Sequence, residues 1–238
     1  LANALARRPR EVGFTVTTLL AELGRVASGS SAFEPSSRDR RFSDPGWVFE
    51  PKLDGIRCLA FVDGDGVRLL SRNRKDLSDA YPEVVAALAA LGVRGVLDGE
   101  IVALERGVSS FQRLQQRSGL RGRDAAASRV RIHYYLFDLP WLDGEDLRRL
   151  PLVERRRRLR SAVPSRGPLR VTPARRGAGE AYFADACRKG LEGIIAKRAA
   201  SPYVAGRSDD WLKFKCVNEQ ELVVGGYTDP QGSRSGLG

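Results

Sequence analysis

Between residues 56 and 73 two apolar-rich runs, IRCLAFV and VRLLSRN, flank the tetrapeptide DGDG. Asp-Gly pairs supply the positive-φ positions of tight turns, so the pattern predicts a β-hairpin. The helical spacing of YPEVVAALAAL predicts a helix after it, and FTVTTLLAELGRVA at residues 14–27 predicts another near the start. The stretch SGSSAFEPSSRDRRFSDPG between is polar and rich in breakers, which predicts a loop or linker and a compact fold that starts near Trp47. GVLDGEIVAL predicts either a strand pair around a tight turn or one kinked strand. SSFQRLQQRS then predicts a helix with Ser109 or Ser110 as its N-cap.

Further along, RIHYYLFDLPWL predicts a buried aromatic strand, and DGEDLRRLPLVERRRRLRSAV carries a basic helix beginning near Pro151. PLRVTP is expected as a short strand and GEAYFADACRKG as a helix ended by Gly190. GIIAKRA, WLKFKCV and ELVVGGY are expected as closing strands, with TDPQGSRSGLG as an open end. Hairpins interleaved with single helices predict an α+β fold of antiparallel sheets flanked by helices, not a doubly wound parallel sheet.

At 238 residues and 42% hydrophobic content the chain can bury a sizeable core. No apolar run approaches the roughly 20 residues that span a bilayer, and no signal-peptide pattern opens the sequence. A cytoplasmic protein without a membrane partner is expected. Methionine is absent, which predicts a piece of a longer product. Cys58, Cys187 and Cys216 are odd in number and widely spaced, so they are expected to be buried, reduced thiols, not a disulfide framework or zinc site. The single histidine, His133, sits among apolar residues and is read as structural, which excludes histidine triads and multi-histidine metal sites. A net charge of +11 favours a polyanionic partner, nucleic acid before membrane. An arginine-rich surface set by codon usage is the alternative.

Lysine is scarce: six occur against 34 arginines, and four of the six, at 52, 197, 213 and 215, fall beside paired acids or aromatics. An amine can lose its proton and act as a nucleophile where a guanidinium cannot. Neighbouring cations, a metal ion or desolvation favour that neutral form. KLDG at residues 52–55 is, by itself, equally a strand end entering an Asp-Gly turn. In WLKFKCV a period of two puts Trp211, Lys213 and Lys215 on one face and Leu212, Phe214 and Cys216 on the other; adjacent like charges call for an anion or for open solvent. In VLDGEIV, Asp98 and Glu100 share a face and offer hard oxygens to Mg²⁺ or to a ribose hydroxyl, unless the segment is a hairpin tip. Neither common glycine-rich phosphate loop is present.

In order along the chain, KLDG at 52–55, SRN at 71–73, DGE at 98–100, LFD at 136–138, EGIIAK at 192–197 and WLKFK at 211–215 resemble the covalent nucleotidyltransferases. The resemblance is closest to bacterial ATP-dependent DNA ligases of the non-homologous end-joining kind, and it runs from about Phe42 to Tyr227. It implies an adenylation domain over residues 42–217, preceded by a helix and linker at 1–41 and followed at 218–238 by the start of an OB-fold domain. Lys52 would attack the α-phosphorus of ATP and hold AMP as a phosphoramidate, then pass it to the 5′-phosphate of nicked double-stranded DNA for sealing. Glu50 would accept from the adenine amine, Phe137 and Ile195 would cover its faces, and Arg57 and Glu100 would hold the ribose. Glu192, with Glu100, would place Mg²⁺ or Mn²⁺. Lys213 and Lys215 would clamp the α-phosphate, Arg72 and Lys197 would meet phosphates, and Asp54 would organise the turn that aims Lys52. A monomer working beside other end-joining proteins, nucleoid-associated when acting, is implied. Only ELVVGGY of the family's OB domain follows, so self-adenylation by this chain is expected to be slow or defective. An RNA ligase, a GTP-using capping enzyme and a non-catalytic DNA-binding module of the same fold remain open.

Overall fold

The structure, a computed structural model, describes residues 36–37, 41–117, 119–204 and 208–216. The helix expected over 14–27, the strand ELVVGGY and the tail after it lie outside them. Two sheets carry the fold. The five-stranded sheet runs β1 (Ser36–Ser37), β12 (Trp211–Lys215), β11 (Gly193–Arg198), β2 (Trp47–Pro51), β10 (Arg175–Arg176). The seven-stranded sheet runs β4 (Gly66–Ser71), β3 (Ile56–Asp63), β5 (Gly95–Glu105), β7 (Ile132–Leu142), β8 (Glu145–Asp146), with β6 (Val108–Ser109) paired to β5 and β9 (Leu169–Val171) to β7. Pairing is antiparallel except for β1 on β12 and β9 on β7, both short. The helices are α1 (Pro82–Ala89), α2 (Phe111–Gln115), α3 (Gly122–Ala127), α4 (Leu152–Ala162) and α5 (Gly179–Arg188). The α+β architecture is the expected one.

The DGDG turn closes the β3–β4 hairpin with Gly66 at φ 132°. GVLDGEIVAL is one kinked strand: the β5–β7 register shifts around Asp98, and a Cβ on Gly99 would come within 2.4 Å of the Tyr135 carbonyl. Only glycine lets β7 approach there. Ser110 caps α2, accepting from the Arg113 amide at 3.1 Å. Helix α3 had no signal, because it has no side-chain cap and its first residue, Gly122, sits at φ 49°. Ser36–Ser37 falls in the stretch expected as linker, yet it pairs with Leu212 and Lys213 at the sheet edge.

Apolar residues on one face of the larger sheet, among them Leu69, Leu97, Ile101, Tyr134 and Leu136, pack with Val84 and Leu88 of α1 and Leu159 of α4. Trp47, Phe49, Ile194, Leu212 and Phe214 of the smaller sheet pack on Tyr182 and Ala186 of α5. Full burial of a large apolar side chain contributes about 1.5–3 kcal/mol.

The cysteine expectation is corrected. Cys187, at the end of α5, is disulfide-bonded to Cys216, with 29 residues of sequence separation, and Cys58 alone among the described cysteines is a buried free thiol. The antiparallel return of β12 along β11 brings Cys216 back beside Glu192, whose carbonyl accepts from the Cys216 amide at 3.0 Å. Glu192 follows closely on Cys187, so a pair distant in sequence becomes adjacent through a strand pairing.

Candidate active site

Residues 52–55 join β2 of the smaller sheet to β3 of the larger, so KLDG is the crossing between sheets. The crossing is tightly fixed. The Lys52 amide donates to the Gly193 carbonyl at 2.9 Å, and a Cβ on Gly55 would lie 2.3 Å from the Ile101 carbonyl. Asp54 accepts from the Phe111 amide at 3.0 Å, while its own amide donates to Ser109 Oγ at 2.9 Å. The turn that carries Lys52 is thereby held to the start of α2.

A cavity of about 470 Å³ opens at this crossing, with walls from both sheets. Of the candidates from the sequence, Glu50, Lys52, Asp54, Arg57, Arg72, Glu100, Phe137, Glu192, Ile195, Lys197, Lys213 and Lys215 line it, and Asp98 does not. At its outer part the Lys52 ammonium is ion-paired with Glu192 Oε2, and Lys215 Nζ lies 3.5 Å from Glu192 Oε1. Gly193, at φ 148°, would bring a Cβ within 2.0 Å of the Phe214 carbonyl, so a glycine must follow Glu192 for β11 and β12 to close. On β12, Trp211, Lys213 and Lys215 face the cavity while Leu212 and Phe214 are buried behind, the alternation expected of WLKFK.

The inner part is buried and charged. Glu50, 2% exposed, is ion-paired through Oε1 with Arg156 and through Oε2 with Lys197 at 2.7 Å. Lys197 Nζ also sits 3.9 Å from the Trp211 ring centroid and 4.1 Å from that of Phe137. Burial lowers its pKa, opposed by the charge of Glu50. Phe137 and Trp211 meet edge to face at 5.8 Å, forming an aromatic corner. Arg57 reaches Asp98 through Nε at 3.0 Å and Nη2 at 2.5 Å, and Tyr203 donates to the same carboxylate at 2.8 Å. Asp98, fully buried, is thus a counter-ion for Arg57 and leaves the cavity to Glu100. Burial lifts the Glu100 carboxyl from 4.5 to about 8, with Arg57 and Lys52 pulling the other way.

Trp211, Arg156 and Tyr203 belong to this site without having been singled out for it. The signal for Arg156 lay in the helix: Leu152, Arg155, Arg156 and Leu159 are the buried positions of α4, spaced i, i+3, i+4 and i+7. Arg155 is fully buried on Asp138, donating through Nε at 2.7 Å and Nη2 at 2.9 Å. The basic run of α4 is therefore half interior.

Among the described residues no cluster of three or more His, Cys, Asp or Glu side chains forms a protein-only metal cage. Glu100 and Glu192 do line the cavity with Lys52. Two carboxylates facing a space of this size suit Mg²⁺ or Mn²⁺, ions that complete their shells with water and substrate phosphate.

A family model described as ATP dependent DNA ligase domain matches residues 31–215. The chain is 44% identical over 196 residues to the multifunctional non-homologous end joining protein LigD of Pseudomonas aeruginosa, covering 81% of this chain and 23% of that protein. It is 40% identical over 198 residues to a probable DNA ligase of Streptomyces avermitilis, covering 79% and 38%. The solved structure of mycobacterial DNA ligase D complexed with ATP and MES superposes with a TM-score of 0.65 at 34% identity, over 79% of this chain and 61% of that one. The chain thus spans between about a quarter and two-fifths of the curated relatives.

Proposed function

Because this chain belongs to the ATP-dependent DNA ligase domain family, we propose that it forms a covalent lysyl-adenylate on Lys52 and hands AMP to the 5′-phosphate of nicked double-stranded DNA, in bacterial double-strand break repair. The observation that carries this reading is a cavity that Lys52 lines together with two carboxylates, a lysine pair and an aromatic corner. Lys52 Nζ, once deprotonated, attacks the α-phosphorus of ATP; an N–P bond forms, the bond to pyrophosphate breaks, and pyrophosphate leaves with the electron pair. Glu192 now pairs with the Lys52 ammonium. Release of Glu192 from that pair would free the amine to approach the phosphorus.

Glu100 and Glu192 would hold Mg²⁺ or Mn²⁺, which supplies charge neutralisation at the α-phosphate when bound. Lys213 and Lys215 oppose the charge that builds on the same phosphate. Phe137 and Ile195 flank the base, Glu50 accepts from its amine, and Arg57 with Glu100 holds the ribose. Arg72 and Lys197 meet phosphate or, for Lys197, fix Glu50 beside the base. Such chemistry belongs in the cytoplasm, at the nucleoid, with other end-joining proteins as partners and this chain acting as a monomer.

Incubation with α-labelled ATP and Mg²⁺ is expected to attach an acid-labile label to the chain and, with a 5′-phosphorylated nick, to move AMP onto DNA. Lys52→Ala is expected to abolish both. A label that survives in Lys52→Ala, or GTP labelling the chain better than ATP, would overturn the reading.

A further inference from the structure

Arg156 does not line the cavity, yet its guanidinium touches two elements that do. One nitrogen, Nη1, is paired with Glu50 and donates to the Phe137 carbonyl at 3.2 Å; the other, Nη2, donates to the Thr172 carbonyl at 2.7 Å. We infer that Arg156 is a positioning residue for base selection, holding from α4 both the carboxylate and the backbone of the aromatic residue between which a purine with an exocyclic amine is read. The inference rests on the cavity being a nucleotide site.

Glu50 explains why such a residue is needed. Its carboxylate is almost fully buried, where an unpaired charge costs several kcal/mol. Cations compensate both oxygens, and each oxygen has a second lone pair for a donor in the cavity. Lys197 is a point charge on Oε2 and orients nothing by itself. The planar fork of Arg156 binds Glu50 and two carbonyls at once, which ties the Glu50 carboxylate to the backbone of Phe137. Arg155, one residue earlier, holds the Asp138 carboxylate instead. The two adjacent arginines thus hold adjacent residues of β7 for different ends.

The test compares calorimetric affinity for ATP with that for purine riboside triphosphate, which lacks the 6-amine, in the wild type and in Arg156→Lys, Arg156→Met, Glu50→Gln and Glu50→Gln/Arg156→Lys. The wild type is expected to prefer ATP, and both Arg156 variants to lose about tenfold or more of that preference, the worth of one charge-assisted hydrogen bond. The double variant is expected to match Glu50→Gln alone, because Arg156 acts through Glu50. Arg155→Lys is expected to lower the melting temperature and keep the preference. Should Arg156→Met not fold, Glu50→Gln/Arg156→Met, which removes both charges, is compared with Glu50→Gln. Full preference in Arg156→Lys, a double variant worse than Glu50→Gln, or a wild type with no preference overturns the inference. A wild type that prefers ATP but never forms a Lys52 adduct overturns the covalent-transfer reading and leaves this one standing.

Discussion

The outer and inner parts of the cavity use ion pairs of opposite kinds. Outside, Lys52 and Lys215 share Glu192, with side-chain exposures of 20%, 60% and 28%. Inside, Glu50, Arg156 and Lys197 are exposed by 4% or less. Fully exposed pairs contribute about 0–1 kcal/mol, and the partly exposed pairs of Glu192 lie nearer that end than the buried network does. Breaking a buried pair by removing one partner costs about 3–5 kcal/mol, because a charge is left uncompensated. The outer lysines can therefore trade Glu192 for a phosphate, while the inner network keeps its geometry as the outer one turns over. Arginine and lysine are divided accordingly, and charge alone does not say which job a residue has.

The largest effect is expected at the inner end. Arg155→Met removes the partner of the fully buried Asp138 and should lower the free energy of unfolding by about 3–5 kcal/mol in urea titrations. A loss below about 1 kcal/mol, the size of an exposed pair, would erase the distinction. Next, Lys213→Ala should slow adenylate formation by about 10²–10³-fold, as removal of one transition-state charge partner does, with little movement of the urea midpoint. A stability loss like that of Arg155→Met would place Lys213 with the inner network instead.

The third effect, read as a dependence on pH, is expected at Glu100, which lies between the two. Burial holds its carboxyl near 8 in the folded chain, against 4.5 as the ordinary value, so folding takes up a proton between those pH values. The stability contributed by the protonated acid is complete below about 4.5 and is lost as pH rises through about 8. Glu100→Gln stays neutral throughout. Its melting temperature should gain on the wild type as pH climbs through that window; an offset that is constant with pH would sink the assignment.

Much of this was legible in the sequence because local rules and tertiary demands agree. The β3–β4 hairpin announced itself through Asp-Gly, and the two faces of WLKFK through alternation. The scarcity of lysine drew attention to the positions that line the cavity. What stayed hidden depends on chain crossings. The partnership of Cys187 and Cys216 exists only once β12 returns along β11. The inward turn of Arg155 and Arg156 was masked by a run of four arginines that reads as a solvated face, although Leu152 and Leu159 bracket them at core spacing. Asp98 and Glu100 look equivalent by alternation, but Arg57 and Tyr203 close over one and leave the other facing the cavity. Side-chain partners drawn from other elements, Tyr203 among them, carry no local mark.

The Cys187–Cys216 bond gives the site an uneven topology. It closes a covalent ring around Glu192, Ile195, Lys197, Trp211, Lys213 and Lys215, whereas Glu50, Lys52, Glu100 and Phe137 belong to the open chain. Thiol chemistry at that one link therefore reaches an entire wall together, and Lys52 meets that wall through the bond of its amide to the Gly193 carbonyl and its ion pair with Glu192.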